Sequence, residues 1–284
     1  WMNKLQKLDI DKNIFVTLNP IQIPKENKII KIFKYEHPLY DQNSLLVQKQ
    51  IKSYQGKNNL FFAGAWHGYG FHEDGVKSAL NIANKLKVEV EWIDSEVFET
   101  ENDDILSHYL SNISGVLVPG GFGKRGSEGK INAIRFARQR HIPFFGICFG
   151  MQMAVLESAR ALGNLPNANS SEFESGGDLL VGLMTEWVTG NSIEQRTDFD
   201  DLGGTMRLGA YKCLITKESL AYQIYNTSDI SERHRHRYEV NINYQKLLED
   251  SGLFISGLSP DGRLPEIVER KDHPFFIAVQ FHPE

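Results

Sequence analysis

Residues 115–162 constrain this chain more than any other stretch. They read GVLVPGGFGKRG, then a basic amphipathic segment, then HIPFFGICFGMQMAVLESARAL. Residues 142–147 are a short apolar run with the pattern of a buried strand. Beyond them Met151, Val155, Ala159 and Leu162 recur at helical spacing. Between strand and helix stands Gly146-Ile147-Cys148-Phe149-Gly150. A single cysteine on such a turn, flanked by small residues, has the form of a nucleophile elbow. Glycine tolerates the strained dihedrals the turn demands, and a helix N-terminus favours thiolate over thiol. The same spacing also suits a buried structural cysteine at a strand end. On this turn alone both readings stand.

A second glycine cluster shifts the balance toward the elbow. Val116-Leu117-Val118 reads as a strand that runs into Pro119-Gly120-Gly121-Phe122-Gly123. The backbone N–H groups of such a turn suit a developing oxyanion. Two nucleotide motifs overlap it and fail. Residues 121–126 match G-x-G-x-x-G, but Cys148 occupies the place of the acidic residue that motif needs. Gly129-Lys130 resembles the end of a P-loop, yet Lys124 replaces the earlier glycine and Ile131 follows the lysine.

With 284 residues, the chain has material for one large domain or two modest ones. The net charge of −5 argues against a dedicated nucleic-acid binder. Cys148 and Cys213 are the only cysteines, so no disulfide framework is implied and a reducing, cytoplasmic setting is expected. No apolar run approaches the ~20 residues of a membrane span, and no signal peptide is evident. Trp1 in place of methionine makes the chain read as a fragment or a processed product.

In chain order, residues 13–18 and 28–33 are β-like runs separated by Pro20 and Pro24. Residues 43–51 suit a short helix, residues 60–65 a strand, and residues 73–86 an amphipathic helix with Val76, Ala79, Leu80, Ala83 and Leu86 on one face. From Val88 the pattern becomes strands alternating with helices: a strand at 88–93, partly helical material at 99–111, then the elbow region. Further strands are expected at 207–214, 238–240, 253–258 and 275–281. The fold expected is α/β, an open, mostly parallel sheet flanked by helices, behind a small β-rich N-terminal appendage. The domains expected are residues 1–58 and 59–284. Residues 59–86 are candidates for the sheet's first strand and helix, covering an otherwise open edge.

The N-terminal runs WMNKLQ, VTLNP, YEHPLYD and FAGAWHGYGFHEDGVKSAL resemble the C-terminal end of a flavin-dependent amine-oxidase-like family. That resemblance implies flavin contacts at Gly64, Gly70, His72, Glu73, Asp74 and Gly75. The dinucleotide-binding βαβ unit of that family is absent, so FAD is not expected to be retained.

A cysteine nucleophile needs a base and a group that orients the base. Of nine histidines, His282 stands out because it ends the apolar strand at 275–281, with Glu284 just beyond the rigid Pro283. Taken alone, His-Pro-Glu also reads as an exposed turn. The motifs GGFGKRGSEGKI, GICFGMQ, NSSEF, MTEW, LGGTMRLG, ERHRHRYEVN and VQFHPE occur in one order. Together they resemble the class I (triad) glutamine amidotransferase domain of the CTP synthase family, over residues 88–284. The resemblance implies a catalytic triad of Cys148, His282 and Glu284. It also implies L-glutamine binding by Gly121, Phe149, Gly150, Met151, Gln152, Glu172 and Arg237. Gly121 and Phe149 would serve the oxyanion, Gln152 and Glu172 the α-amino end, and Arg237 the α-carboxylate. The loop at 203–207 would face the ammonia exit. No metal is implied for this half-reaction; ATP and magnesium belong to a synthase domain that this chain lacks. Phe149 departs from the family's usual leucine. Without that resemblance, residues 233–237 read as a solvated basic face. Two rival readings are a fragment of a flavin amine oxidase and an inert truncated hybrid.

Overall fold

The computed structural model describes residues 13–17, 20–32, 40–57, 60–100, 102–173, 176–183 and 206–283, the His72 side chain excepted. The chain divides into two compact units, Trp1–Glu91 and Trp92–Glu284.

The first unit is built on helices. Asp41 opens α1 (Gln42–Tyr54) with a capping box: its carboxylate accepts from Ser44 N at 2.8 Å, and Asp41 N donates to the Ser44 hydroxyl at 3.2 Å. Helix α2 (His72–Lys85) follows the Gly-rich turn. Gln48 and Gln55 of α1 hold the segment leading to it: the Gln48 amide donates to the carbonyls of Trp66 and Gly68, and Gln55 clasps both backbone groups of Phe62.

Several strand expectations fail here. Residues 13–17 and 29–32 form no strand, and the remaining residues of those two runs include Leu18 and Phe33, which lie outside the described residues. Phe15, Val16, Ile30 and Ile32 are exposed. A β-like run becomes a strand only where a neighbouring strand completes its ladder, and among the described residues none pairs with these. Among the described residues the appendage is therefore helical, with a 3₁₀ turn at Glu26–Lys28. Residues 60–65 also form no strand, residues 88–93 are irregular, and Val76, Leu80 and Leu86 remain exposed. The strand expected at residues 60–65 as the first of the sheet is therefore not formed. Among the described residues the sheets contain no strand before residue 116.

The second unit is the α/β fold. A 3₁₀ turn at Ser95–Phe98 and helix α3 (Asp103–Leu110) lead into strand β1 (Val116–Val118). Helix α4 (Ser127–Arg140), strand β2 (Phe144–Ile147) and helix α5 (Phe149–Ala161) follow, close to the elements read from the sequence. Then come β3 (Ala168–Ser170), β4 (Asp178–Leu183), β5 (Arg207–Ile215), α6 (Leu220–Tyr225), β6 (Asp229–His236) and β7 (Tyr238–Val240). The unit ends with α7 (Gln245–Asp250), β8 (Phe254–Leu258), β9 (Pro265–Glu269) and β10 (Phe276–Val279).

Seven strands form one sheet in the order β1-β2-β10-β9-β8-β5-β6, and β3-β4-β7 form a second. Within the large sheet, parallel pairing joins β1, β2 and β10. From β10 outward through β9, β8, β5 and β6 every pairing is antiparallel. The division follows from connection length: α4 crosses over between β1 and β2, whereas β8 reaches β9 through a short turn that only antiparallel neighbours allow. Phe144, Met151, Leu156, Phe276 and Ala278 are fully buried where α5 covers the parallel strands. Arg138 of α4 forks onto Glu157 of α5 at 2.6–3.0 Å and fixes the two helices to each other.

Candidate active site

Cys148 joins β2 to α5 with φ 53° and ψ −101°, outside the regions that non-glycine residues ordinarily occupy. Its N–H donates to the Val279 carbonyl at 2.7 Å, which fixes the turn to the end of β10. The flanking glycines are required by close approach. A Cβ on Gly150 would lie 2.1 Å from the Val118 carbonyl oxygen, and one on Gly146 would lie 2.9 Å from Ala278 Cβ. The helix N-terminus therefore sits directly against β1.

Gly120 stands where the catalytic candidates meet. A Cβ there would come within 2.9 Å of His282 Cε1 and 3.7 Å of Cys148 Cβ. Gly121, the neighbour read from the sequence, lies beside the Phe149 ring instead. His282 is held by its N–H, which donates to the Arg233 carbonyl at 2.7 Å as β6 passes the end of β10. Its Nε2 is buried and has no hydrogen-bond partner among the described residues. Burial, reinforced by Arg233 and Arg235, lowers the His282 pKa, so the imidazole is neutral and fit to accept a proton. Burial pushes the Cys148 thiol up to about 12, against the Phe149 N–H, which favours the thiolate. The resting nucleophile is a protonated thiol that depends on a base. Glu284 lies outside the described residues.

Around this pair the substrate candidates separate. Gln152 is buried, and its Nε2 donates to the Tyr238 carbonyl at 3.0 Å and to Gln280 Oε1 at 3.4 Å. Glu172 Oε1 accepts from Gly123 N at 2.7 Å, tying it to the turn that holds Gly120 and Gly121, and burial raises its pKa. Arg237 occupies the bend between β6 and β7, half-buried, with no hydrogen bond or ion pair among the described residues. Phe149 and Gly150 are buried in the first turn of α5. Met151 does not fit the substrate role: its side chain is wholly buried in the core, and its N–H donates to the Cys148 carbonyl. Of the loop at 203–207 only Met206 and Arg207 are described.

Sequence reasoning missed two features. Gln280, two residues before His282, donates to Cys148 Sγ at 3.8 Å. Behind the site, Arg207 reaches Glu239 at 3.2 Å and Glu266 at 2.8 Å, with His234 and His236 hydrogen-bonded to each other at 2.8 Å. All five side chains are buried. The sequence signal is slight, with Ile230 the one apolar residue in 229–236, but in the fold these residues alternate exposed and buried as a strand does. Glu232, His234 and His236 point inward while Arg233 and Arg235 point out, so the run is neither a plain basic face nor wholly a binding motif.

The buried histidines set a pH response. Burial, with Arg207 second, depresses His234 to about 2 and His236 to about 3 from 6.5. Groups lowered in this way contribute stability above 6.5 that is lost as pH falls toward those values. Burial raises Glu239 to about 8, an opposing contribution that is lost as pH rises, and Glu266 shifts the same way. His273 and His282 are also lowered, so the histidines outweigh the carboxyls between pH 6.5 and 4.5. The melting temperature is expected to fall across that window, and to fall less in His236→Gln. A flat profile in the unsubstituted protein would contradict the burial argument.

Among the described residues no cluster of three or more His, Cys, Asp or Glu is arranged to hold a metal, and no helix is long and apolar enough to cross a membrane. In the Gly-rich turn before α2 several backbone donors already have partners. Tyr69 N and Phe71 N donate to Asp74, Gly64 N to Ser78, and Gly70 N to the Ala65 carbonyl, so these donors have no capacity left for a pyrophosphate.

The class defined by this elbow and fold is also found by comparison. The family model described as glutamine amidotransferase class-I matches residues 78–284, and the chain belongs to that family. The CTP synthase of Rhizobium etli (strain CIAT 652) is 54% identical over 244 residues, covering 84% of this chain and 44% of the relative. That of Nitrobacter hamburgensis is 50% identical over 267 residues, covering 91% and 48%. Among solved structures, the Trypanosoma brucei CTPS glutaminase domain with bound acivicin is 35% identical with a TM-score of 0.61, covering 75% of this chain and 82% of that one. Within its family the chain is of the CTP synthase glutamine amidotransferase type, spanning a little under half the length of these curated relatives. Their alignments include more of the chain than residues 88–284 contain. Similarity to CTP synthase therefore extends upstream into the stretch that resembles a flavoprotein, and the flavoprotein relationship gains no support.

Proposed function

We propose that this chain hydrolyses L-glutamine to glutamate and ammonia through a thioester on Cys148. In this reading it is the ammonia-supplying half of a CTP synthase acting in the cytoplasm. The meeting of Cys148 and the neutral His282 ring across Gly120 carries the proposal.

His282 takes the thiol proton as Sγ attacks the side-chain carbonyl carbon, and the carbonyl π pair moves onto oxygen. The N–H groups of Gly121 and Phe149 receive that oxyanion. On collapse, the C–N bond breaks and His282 returns its proton to the nitrogen, which leaves as ammonia. Water then adds to the thioester with His282 again as base, releasing glutamate and the thiol. Glu284 orients the imidazole. Both amide hydrogens of Gln152 are engaged, which leaves Oε1 to accept from the substrate ammonium alongside the Glu172 carboxylate. Arg237 takes the α-carboxylate. No cofactor enters these steps. UTP, ATP and magnesium belong to a synthase portion that receives the ammonia, and neither nucleic acid nor membrane is a partner.

Glutamate release by the purified chain, and its loss on thiol alkylation, tests the proposal. No release from folded protein would favour the inert reading. A second test separates binding from a general charge effect. Arg237→Ala is expected to raise the KM for glutamine by about tenfold or more, the value of a lost charge-assisted fork. Arg233→Ala keeps the backbone carbonyl that holds His282 and should change KM far less. Equal effects would reduce Arg237 to a general charge contribution and remove its role at the α-carboxylate.

A further inference from the structure

We propose that Gln280 is a catalytic residue of this site, a fixed hydrogen-bond donor that stabilises the Cys148 thiolate. The inference rests on Cys148 being the nucleophile of the reaction above.

The chain of hydrogen bonds starts at a group with no freedom of role. The Tyr238 carbonyl only accepts, and His236 Nδ1 already faces it at 3.1 Å. The Gln152 amide atom 3.0 Å from the same oxygen must therefore be its nitrogen. That nitrogen also faces Gln280 at 3.4 Å, so Gln280 must present its oxygen there. Its own nitrogen is then turned onto Cys148 Sγ at 3.8 Å. Each amide orientation is set by the one before it, from a backbone carbonyl to the reacting sulfur.

Gln280 is fully buried, and its backbone N–H is fixed on the Glu266 carbonyl at 2.8 Å. It has no alternative rotamer in water to adopt. A neutral thiol is a weak acceptor and a thiolate a strong one, so this contact strengthens as the proton leaves. The titratable groups facing the thiol are Glu239 of β7 and Glu172 after β3, which in their ionised forms disfavour the thiolate, and the neutral His282 ring beyond β10. Besides the Phe149 N–H at the elbow, Gln280 is the neutral donor that opposes them.

Alkylation of Cys148 by iodoacetamide at pH 8, followed by mass mapping so that Cys213 is scored separately, reads the thiolate without requiring turnover. The thiolate is the reacting form, so a thiol that ionises less readily is alkylated more slowly in proportion. Gln280→Glu puts a carboxylate oxygen against Sγ and is expected to slow alkylation by about tenfold or more. Gln280→Met keeps the length without the donor and should slow it less. If Gln280 served packing alone, both substitutions would loosen the site and alkylation would stay unchanged or accelerate; that result overturns the proposal. Should neither variant fold, the unsubstituted chain decides. Its Gln280 side-chain amide protons should shift in Cys148→Ala, and an absence of shift overturns the proposal. Slowed alkylation in a chain that turns over no glutamine would keep the Gln280 contact to the thiolate but overturn its catalytic role together with the glutaminase reading.

Discussion

Cys148→Ser is expected to leave a folded chain whose glutamine turnover is lower by about 10⁴-fold or more, the scale on which loss of a nucleophile is felt. A hydroxyl is a far weaker acid than even this raised thiol, and His282, with its pKa lowered by burial, is too weak a base to ionise it. The swap removes no volume that the core needs, so a melting curve close to that of the unsubstituted chain should accompany the loss. Cys213 supplies the control. It lies fully buried in β5 against Gly257, and burial raises its pKa strongly. It sits within a strand and not on an elbow, so Cys213→Ser should keep turnover in whatever fraction remains folded. Turnover surviving in Cys148→Ser would remove the thioester mechanism altogether.

The second large effect is on stability. Gly150→Ala is expected to cost about 3 kcal/mol, because the new methyl would sit 2.1 Å from the Val118 carbonyl oxygen. Both partners are backbone, one in the first turn of α5 and one in β1, and neither moves without shifting its element. For a unit of this size the melting temperature should fall by about 6–12 °C. Any displacement of α5 also carries Cys148 away from Gly120 and His282, so turnover should fall further than the folded fraction does. The opposite sign is expected at Gly75 in α2, where a Cβ meets only ordinary contacts, the nearest at 3.5 Å. Gly75→Ala should stabilise by somewhat under about 1 kcal/mol through helix propensity. Two glycines inside helices thus differ in sign through space alone. Equal melting temperatures for the two variants would refute the argument.

The sequence by itself determined the elbow, the helices on either side of it and the strand that carries His282. Those are local events: an apolar run, small residues and helical spacing act over a few neighbours, so Phe144–Ile147 and Phe149–Ala161 fall close to where the pattern puts them. The likeness of GICFGMQ and VQFHPE to one family carried the pairing of Cys148 with His282 before any distance was known. Only tertiary structure decided which β-like runs become strands. Residues 13–17 and 60–65 have the composition but pair with no strand among the described residues, whereas the charged residues 229–236 become β6 because β5 pairs with them. Strand formation depends on a neighbour that is often far away in sequence, and composition does not reveal it. The same distance hides the chain of amides from Tyr238 through Gln152 to Gln280, and the burial of Arg207 with Glu239 and Glu266. Their chemistry arises from removal of water on all sides, and that is a property of the packed fold.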